Sequence, residues 1–278
     1  RWKDTRVLII DEASMISAEL FDKLDYIGRC VRGKDEVFGG IQLVIVADFL
    51  QLPPVLSGNN HPAIFCFESE AWENAEMQVV ELKQVFRQND SKFLKLLDEI
   101  RRGLSLSESS WQILNECQER KLGPIDDIIP TMLFCRRAEV EAQNQNELDK
   151  LPGVAFRFKA IDTGDQARLD RLARLPKHLD LRVGAQVLFL RNDPNLGLVN
   201  GSRGIVIDLS KKYPVVRFEN GVIIQVNRFQ EVFQEGHKIV ACRSQVPLCL
   251  AWALTVHKGR GMTLDRAIVD LTGAFECG

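Results

Sequence analysis

The stretch RVLIIDEASMI, residues 6–16, decides how the rest of the chain is read. Its apolar run, Val7-Leu8-Ile9-Ile10, is short, continuous and rich in β-branched residues, the pattern of a buried parallel strand. The run stops at two adjacent carboxylates, Asp11 and Glu12. A strand ending in these acids suits nucleotide hydrolysis: one carboxylate anchors Mg²⁺, and the other orients or deprotonates the attacking water. The same letters also describe an ordinary strand end whose acids cap the next helix.

Working outward, Ser17 can cap a helix in which Leu20, Leu24, Ile27 and Val31 share one face. Gly33 stands where a helix-terminating glycine belongs. Residues 41–46, IQLVIV, predict a second buried strand, with Asp48 beyond its end. Strand, helix and strand, with acids at the strand ends, is the pattern of an open α/β sheet, which binds ligands beyond the carboxyl ends of its strands. The polar stretch 57–62, SGNNHP, reads as loop.

Further helices are expected at 91–102, with Phe93, Leu97 and Ile100 inward and Gly103 as the stop, and through Val140, Asn144 and Leu148 to the LPG at 151–153. Residues 131–135 predict a strand, and 165–177 a polar helix. Residues 182–243 change character, into short strand-like runs punctuated by Asn200-Gly201 and Asn220-Gly221, dipeptides suited to hairpin turns. They predict a small inserted β-barrel.

Bulk properties exclude several classes. Lys and Arg total 36 against 38 Asp and Glu, so any nucleic-acid contact must come from a local groove. No apolar run approaches the ~20 residues of a membrane helix, so no membrane partner is expected. The chain begins at Arg1 without an initiator Met or a signal-like start. Seven cysteines with no C-x-x-C pair predict reduced intracellular thiols serving as small core residues. Four scattered histidines offer no zinc pattern.

Three further strings carry chemistry. In VIVADFLQLPPV, residues 44–55, Gln51 lies just past a strand end, where a neutral amide can touch a γ-phosphate, and Pro53-Pro54 stiffens the turn. In ELKQVFRQND, residues 81–90, Arg87 follows the apolar pair Val85-Phe86 and precedes a capped helix, a place from which a guanidinium can reach a phosphate. In AWALTVHKGRGMTLDRAIVDL, residues 251–271, Thr255, His257 and Lys258 enter a loop bracketed by Gly259 and Gly261. Hydroxyl, imidazole and ammonium there supply donors for a phosphodiester backbone, and a strand follows in AIVDL. Taken singly, FRQ and TVHK also suit a solvated surface. The basic doublets Arg101-Arg102, Arg136-Arg137 and Lys211-Lys212 fit a solvated face or phosphate contacts.

In order along the chain, these strings resemble the Pif-one branch of superfamily 1B DNA helicases, relatives of RecD. Asp11-Glu12 resembles motif II, ADFLQLPPV motif III, VFRQ motif IV and AWALTVHKGRGMTLD motif V. VGAQVLFLRN with GLVNGSRGIV resembles the lead into the family's SH3-like insertion. The resemblance implies an α/β chain of RecA-like P-loop NTPase folds, the first incomplete, with a small SH3-like β-barrel inserted in the second. The implied division is 1–85 for the first fold, 86–181 with 244–278 for the second, and 182–243 for the insertion. It also implies ATP as substrate and Mg²⁺ as cofactor, with 5′-to-3′ movement on single-stranded DNA, unwinding at duplex junctions and work in genome maintenance. By position, Asp11 would bind Mg²⁺, Glu12 would activate water, Gln51 would sense the γ-phosphate and Arg87 would stabilise its transition state. Thr255, His257, Lys258 and Arg260 would lie near the DNA. A monomer is expected, in the nucleus, or in a mitochondrion or bacterial cytoplasm.

Ala47 stands where the family favours Gly, the family's last arginine motif is not reached, and two larger departures remain. The phosphate loop G-x-x-x-x-G-K-[ST] is missing; GRCVRGKD, residues 28–35, has its spacing, but Asp35 replaces the hydroxyl and the string follows a helix. An internal piece of a longer product, unable to hydrolyse ATP alone, is the expectation. Gly259-Arg260 stands where the family usually has Ser-Gln, removing an amide and adding charge near the DNA path. A helicase-like single-stranded DNA-binding protein without ATP turnover is the alternative, and a metal nuclease using Asp11, Glu12 and Asp48 a third.

Overall fold

Strand β1 (Val7–Ile10) pairs in parallel with β2 (Gln42–Ile45), with Val7 opposite Gln42 and Ile10 opposite Ile45. Helix α1 (Ala18–Arg32) makes the crossover between them. The structure, a computed structural model, describes residues 2–54, 64–86, 88–210, 212–236, 238–259, 262, 264 and 266–274. The loop expected at 57–62 and Arg87, Lys211, Arg260 and Gly261 lie outside the described residues. The chain divides into two compact units, residues 1–120 and residues 121–275.

In the first unit, α1 starts and stops as its termini dictate. The Ser17 hydroxyl accepts a hydrogen bond from Leu20 N at 3.3 Å, satisfying one of the helix's orphan donors. Gly33 takes φ 63°, and its N–H donates to Arg29 O at 2.8 Å. The spurious phosphate-loop string is therefore the end of a helix and its glycine stop.

The inward face of α1 differs from the expected one. Phe21, Asp25 and Gly28 are buried; of the expected stripe Leu24 packs on the core, whereas Leu20, Ile27 and Val31 are exposed. Gly28 accounts for this choice. A Cβ there would sit 2.8 Å from the Phe38 carbonyl carbon, so only glycine lets the helix come down onto that backbone. Asp25 then accepts from Phe38 N at 2.6 Å and from Arg29 Nε at 2.7 Å, holding Phe38 at φ 51°.

Burial of the strands is also one-sided. Leu8, Ile10, Leu43 and Ile45 pack on the core of Ala13, Phe21, Phe38, Ile41, Cys66 and Ala71. Val7 and Ile9, by contrast, are 45% and 66% exposed, and Val44 and Val46 are exposed too. Because successive strand residues point to opposite faces, covering by α1 buries only every second one.

After a short helix α2 (Glu70–Asn74), α3 (Ser91–Arg101) and α4 (Glu108–Glu119) complete this unit. On α3 the buried residues are Leu96 and Glu99; of the expected face Phe93 is half-buried, whereas Leu97 and Ile100 are exposed. Glu99 goes inward because its carboxylate accepts from Ser107 N at 3.0 Å and Ser107 Oγ at 3.3 Å at the start of α4.

The second unit opens with β3 (Thr131–Phe134) and α5 (Arg137–Lys150). There follow β4 (Phe156–Lys159), β5 (Ile161–Gly164), α6 (Gln166–Leu172), β6 (His178–Leu181) and β7 (Gln186–Phe189). Next come β8 (Arg203–Asp208), β9 (Val215–Phe218), β10 (Ile223–Gln225), β11 (Phe229–Glu235) and β12 (Lys238–Gln245). The last elements are β13 (Leu248–Leu250), β14 (Ala253–Thr255), the single turn α7 (Val256–Gly259) and β15 (Ala267–Asp270). The polar helix expected over 165–177 thus stops at Leu172.

A five-stranded sheet runs β10-β9-β8-β7-β13, all antiparallel. Both Asn-Gly dipeptides sit in its turns, Gly201 at φ 105° between β7 and β8 and Gly221 at φ 82° between β9 and β10. A second sheet runs β11-β12-β5. Strands β5 and β13 come from outside 182–243, so the sheets recruit sequence on both sides of that run. Arg243, buried on β12, ties β5 and α6 together through a two-point pair with Asp162 at 2.8–2.9 Å and a bond to Asp170 at 3.2 Å.

The third sheet is parallel, in the order β14-β3-β15. Its β14 edge is closed by a side chain: Asn144 Nδ2 donates to Ala253 O at 3.0 Å and Ala253 N donates to Asn144 Oδ1 at 2.9 Å, as a neighbouring peptide would. Of the six described cysteines, all free, Cys66 and Cys135 are buried and Cys249 packs on a core cluster, whereas Cys30 and Cys117 are exposed and are not the core residues expected.

Candidate functional site

Chemistry-bearing residues gather at the carboxyl ends of parallel strands in both units. In the first, the chain leaves β1 through a turn pinned to β2: Val46 N donates to Ile10 O at 2.8 Å, and Ala13 N donates to Val46 O at 3.1 Å. Ala13 and Ser14 are fully buried, and Glu12 is left exposed between them and the strand. Glu12 takes φ 55° and ψ 38°, left-handed backbone that a residue with a Cβ enters only under constraint. The paired backbone bonds on either side supply that constraint.

Asp11 Oδ1 accepts from Glu12 N at 2.9 Å. Its second oxygen has no recorded partner among the described residues. One hard carboxylate oxygen, with phosphate and water completing the shell, suits Mg²⁺, which is usually held by one or two carboxylates plus substrate. No group of three or more His, Cys, Asp or Glu that could hold a metal occurs among the described residues. Asp11, Glu12 and Asp48 thus do not form such a group, and Asp48 is paired with Arg101 instead.

The loop after β2 is organised by Asp48. Leu50 N donates to its Oδ1 at 3.2 Å, Gln51 Nε2 to its Oδ2 at 3.0 Å, and Gln51 N to its carbonyl at 3.1 Å. Arg101, from α3, places Nε and Nη2 on the two oxygens at 3.0 Å each. Burial pushes the Asp48 carboxyl up, but the bonds from Arg101, Gln51 and Leu50 outweigh it and leave the group below the usual carboxylate range. Arg101 was expected at a solvated face or on phosphate. Its pairing across 53 residues has no local sequence signal.

β1 and β2 being adjacent and in register, Asp11, Glu12 and the loop bearing Gln51 lie at the same end of one sheet. Val85 and Phe86, which precede Arg87 in the chain, are exposed.

In the second unit, Thr255 ends β14 opposite Phe134 of β3. Its hydroxyl oxygen accepts from Lys258 N at 3.2 Å, capping α7 and keeping its proton available to donate. Thr255 and His257 are half-buried and Lys258 is exposed. Lys258 Nζ lies 3.2 Å from Cys249 Sγ. Thr255 and Lys258 line a groove of about 570 Å³ with Arg137, Gln145 and His178, donors that the motif strings did not indicate. Of the other doublet members, Arg102 pairs with Asp98 and Arg137 with Glu141.

This arrangement matches known proteins. A family model described as PIF1-like helicase matches residues 1–109, and one for the 2B domain of DNA helicase Pif1 matches residues 169–209. A crystal structure of Pif1 helicase from Candida albicans superposes with a TM-score of 0.85 at 34% identity, over 100% of this chain and 69% of that one. The chain belongs to the PIF1-like helicase family. The ATP-dependent DNA helicase PIF1 of Danio rerio is 41% identical over 286 residues, covering all of this chain and 44% of the relative. The chain thus spans less than half the length of that curated relative. A Bacteroides Pif1 helicase solved with ADP-AlF3 and single-stranded DNA superposes with a TM-score of 0.72 at 29% identity, over 99% of this chain and 66% of that one. The α/β architecture is that of Pif1 helicase structures.

Proposed function

We propose that this chain is part of an ATP-dependent DNA helicase that moves 5′ to 3′ on single-stranded DNA and unwinds duplex junctions. Its work is genome maintenance, including repair, recombination and telomere upkeep, in the nucleus, or in a mitochondrion or bacterial cytoplasm, as a monomer. The observation that carries this reading is Glu12: an exposed carboxylate in left-handed backbone, beside Asp11, at the carboxyl end of a parallel strand pair whose other end loop bears Gln51. Family membership supports it, as does the Bacteroides relative solved with a nucleotide analogue and single-stranded DNA.

In this reading Asp11 holds Mg²⁺, which when bound offsets phosphate charge. Glu12 takes the proton of the attacking water, Gln51 orients at the γ-phosphate, and Arg87 faces the charge that develops there. Thr255, His257, Lys258 and Arg260 grip a DNA backbone without reading sequence. The division into 1–85, 86–181 with 244–278, and an SH3-like barrel at 182–243 belongs to the same proposal, as does phosphate binding by a loop carried elsewhere in the complete polypeptide.

The test is Glu12→Gln in the complete polypeptide. ATP hydrolysis stimulated by single-stranded DNA should fall about 10²–10⁴-fold, the usual worth of a general base, while DNA binding persists. Hydrolysis at the parent rate would remove Glu12 from the reaction.

A further inference from the structure

The Asp48 carboxylate is shared by donors from two elements. Arg101 of α3 gives it Nε and Nη2 at 3.0 Å each, and Gln51 gives it Nε2 at 3.0 Å. An ionised carboxylate accepts hydrogen bonds and cannot donate. Asp48 therefore selects the nitrogen end of the Gln51 amide. Oε1 and a single N–H are what remain for a ligand.

We propose that Arg101 is a positioning residue for that amide: its two-point grip on Asp48 holds Gln51 with its remaining N–H free for the γ-phosphate and Oε1 presented to accept a hydrogen bond from the attacking water. The proposal rests on the reading of Asp11, Glu12 and Gln51 as a nucleotide-hydrolysing site. It adds which end of the amide meets the water and what fixes it.

The choice of arginine matters. A planar guanidinium fork sets the rotation of the carboxylate as well as its place, which a lysine ammonium, a point charge, does not. The two side chains are 45% and 25% exposed, so solvent screens the pair and its worth to overall stability is small. What it supplies is orientation. Helix α3 begins at Ser91, directly after the string that holds Arg87. A shift of α3 against β2 would thus reach Gln51 through one carboxylate.

The experiment measures steady-state ATP hydrolysis by the complete polypeptide on single-stranded DNA. Arg101→Ala should lower kcat about tenfold with KM for ATP unchanged, the signature of an interaction realised only in the transition state. Arg101→Lys, which keeps the charge and loses the fork, should fall between parent and Arg101→Ala; it also guards against misfolding, with an unfolding midpoint matching the parent. In a Gln51→Ala background, Arg101→Ala should change kcat less than about twofold, because no amide is left to orient. An equal loss in both backgrounds, or no loss in either, overturns the proposal. If Glu12→Gln and Gln51→Ala lower hydrolysis while Arg101→Ala does not, Arg101 alone is dismissed. If neither lowers it, the site assignment fails and the proposal with it.

Discussion

Strand β7 and strand β1 are both four residues long and largely apolar, yet they live differently. Every residue of β7 (Gln186-Val-Leu-Phe189) is buried, the glutamine included. In β1 (Val7-Leu-Ile-Ile10), which has no polar residue at all, every second side chain is exposed. The difference lies in what surrounds each strand. β7 has hydrogen-bonded neighbours on both edges, β8 and β13, and contributes to a core that counts fifteen buried residues among those described. Among the described residues β1 has one strand neighbour, and the cluster it packs on comprises six buried residues. Gln186 survives burial because its amide donates to Ile129 O and Ala251 O and accepts from Ile129 N, all at 3.0–3.1 Å. Apolar letters thus report what a strand tolerates; its neighbours decide what it gets.

The largest expected effect falls on the closed core. Phe189 is 1% exposed and meets Phe218 edge-on, with ring centroids 5.5 Å apart. Phe189→Ala should destabilise the chain by about 3–5 kcal/mol, transfer and cavity terms together, read as a shift in the urea unfolding midpoint. A loss below about 1 kcal/mol would show that the second unit collapses to fill the space, and would erase the contrast with β1.

How far this was legible follows from the range of each cause. Local signals held: Ser17 and Gly33 bound α1 as hydroxyl cap and glycine stop, the Asn-Gly turns join the strands expected, and the parallel β1–β2 pair was readable from two apolar runs ending in acids. Faces were less readable. On α1 only Leu24 of the expected stripe packs inward and the rest gave way to Phe21 and Gly28, because helix approach is set by the one position without a Cβ. On α3 a glutamate went inward because serines of the next helix could satisfy it. The Arg101–Asp48 and Arg243–Asp162 pairs, 53 and 81 residues apart, leave no trace in any window. At the candidate sites, residue type and strand-end placement were visible in the strings, while the conformation of Glu12 and the grip on Gln51 were not.

The first unit has its own polar device, and acid should break it. Hydrogen bonds from Ser110 and Ser107 lower the Glu99 carboxyl from 4.5 to about 2. A carboxyl depressed in the folded state contributes stability that is complete above its unfolded value and lost as pH falls through the folded one. The packing of α3 on α4 should therefore weaken between about pH 4.5 and pH 2. Glu99→Gln should remove that part of the pH dependence, measured as the unfolding midpoint at pH 5 and at pH 3. An identical slope in the variant would assign acid sensitivity to other carboxyls.

The smallest effect is expected on the open face, and it bears most directly on the comparison. Ile9 is 66% exposed. Ile9→Ser removes apolar surface that water already touches, so in this chain it should alter stability by no more than about 0.5 kcal/mol, as surface substitutions do. The same change at a core isoleucine costs several-fold more. In a complete polypeptide that lays further structure over Val7, Ile9, Val44 and Val46, the cost should rise toward the core value. Measured in both contexts by urea unfolding, Ile9→Ser separates a face that is open in this chain from one that stays open in the whole molecule. A large loss in the chain alone would mean that exposure along β1 does not govern its energetics, and that the difference from β7 is one of appearance only.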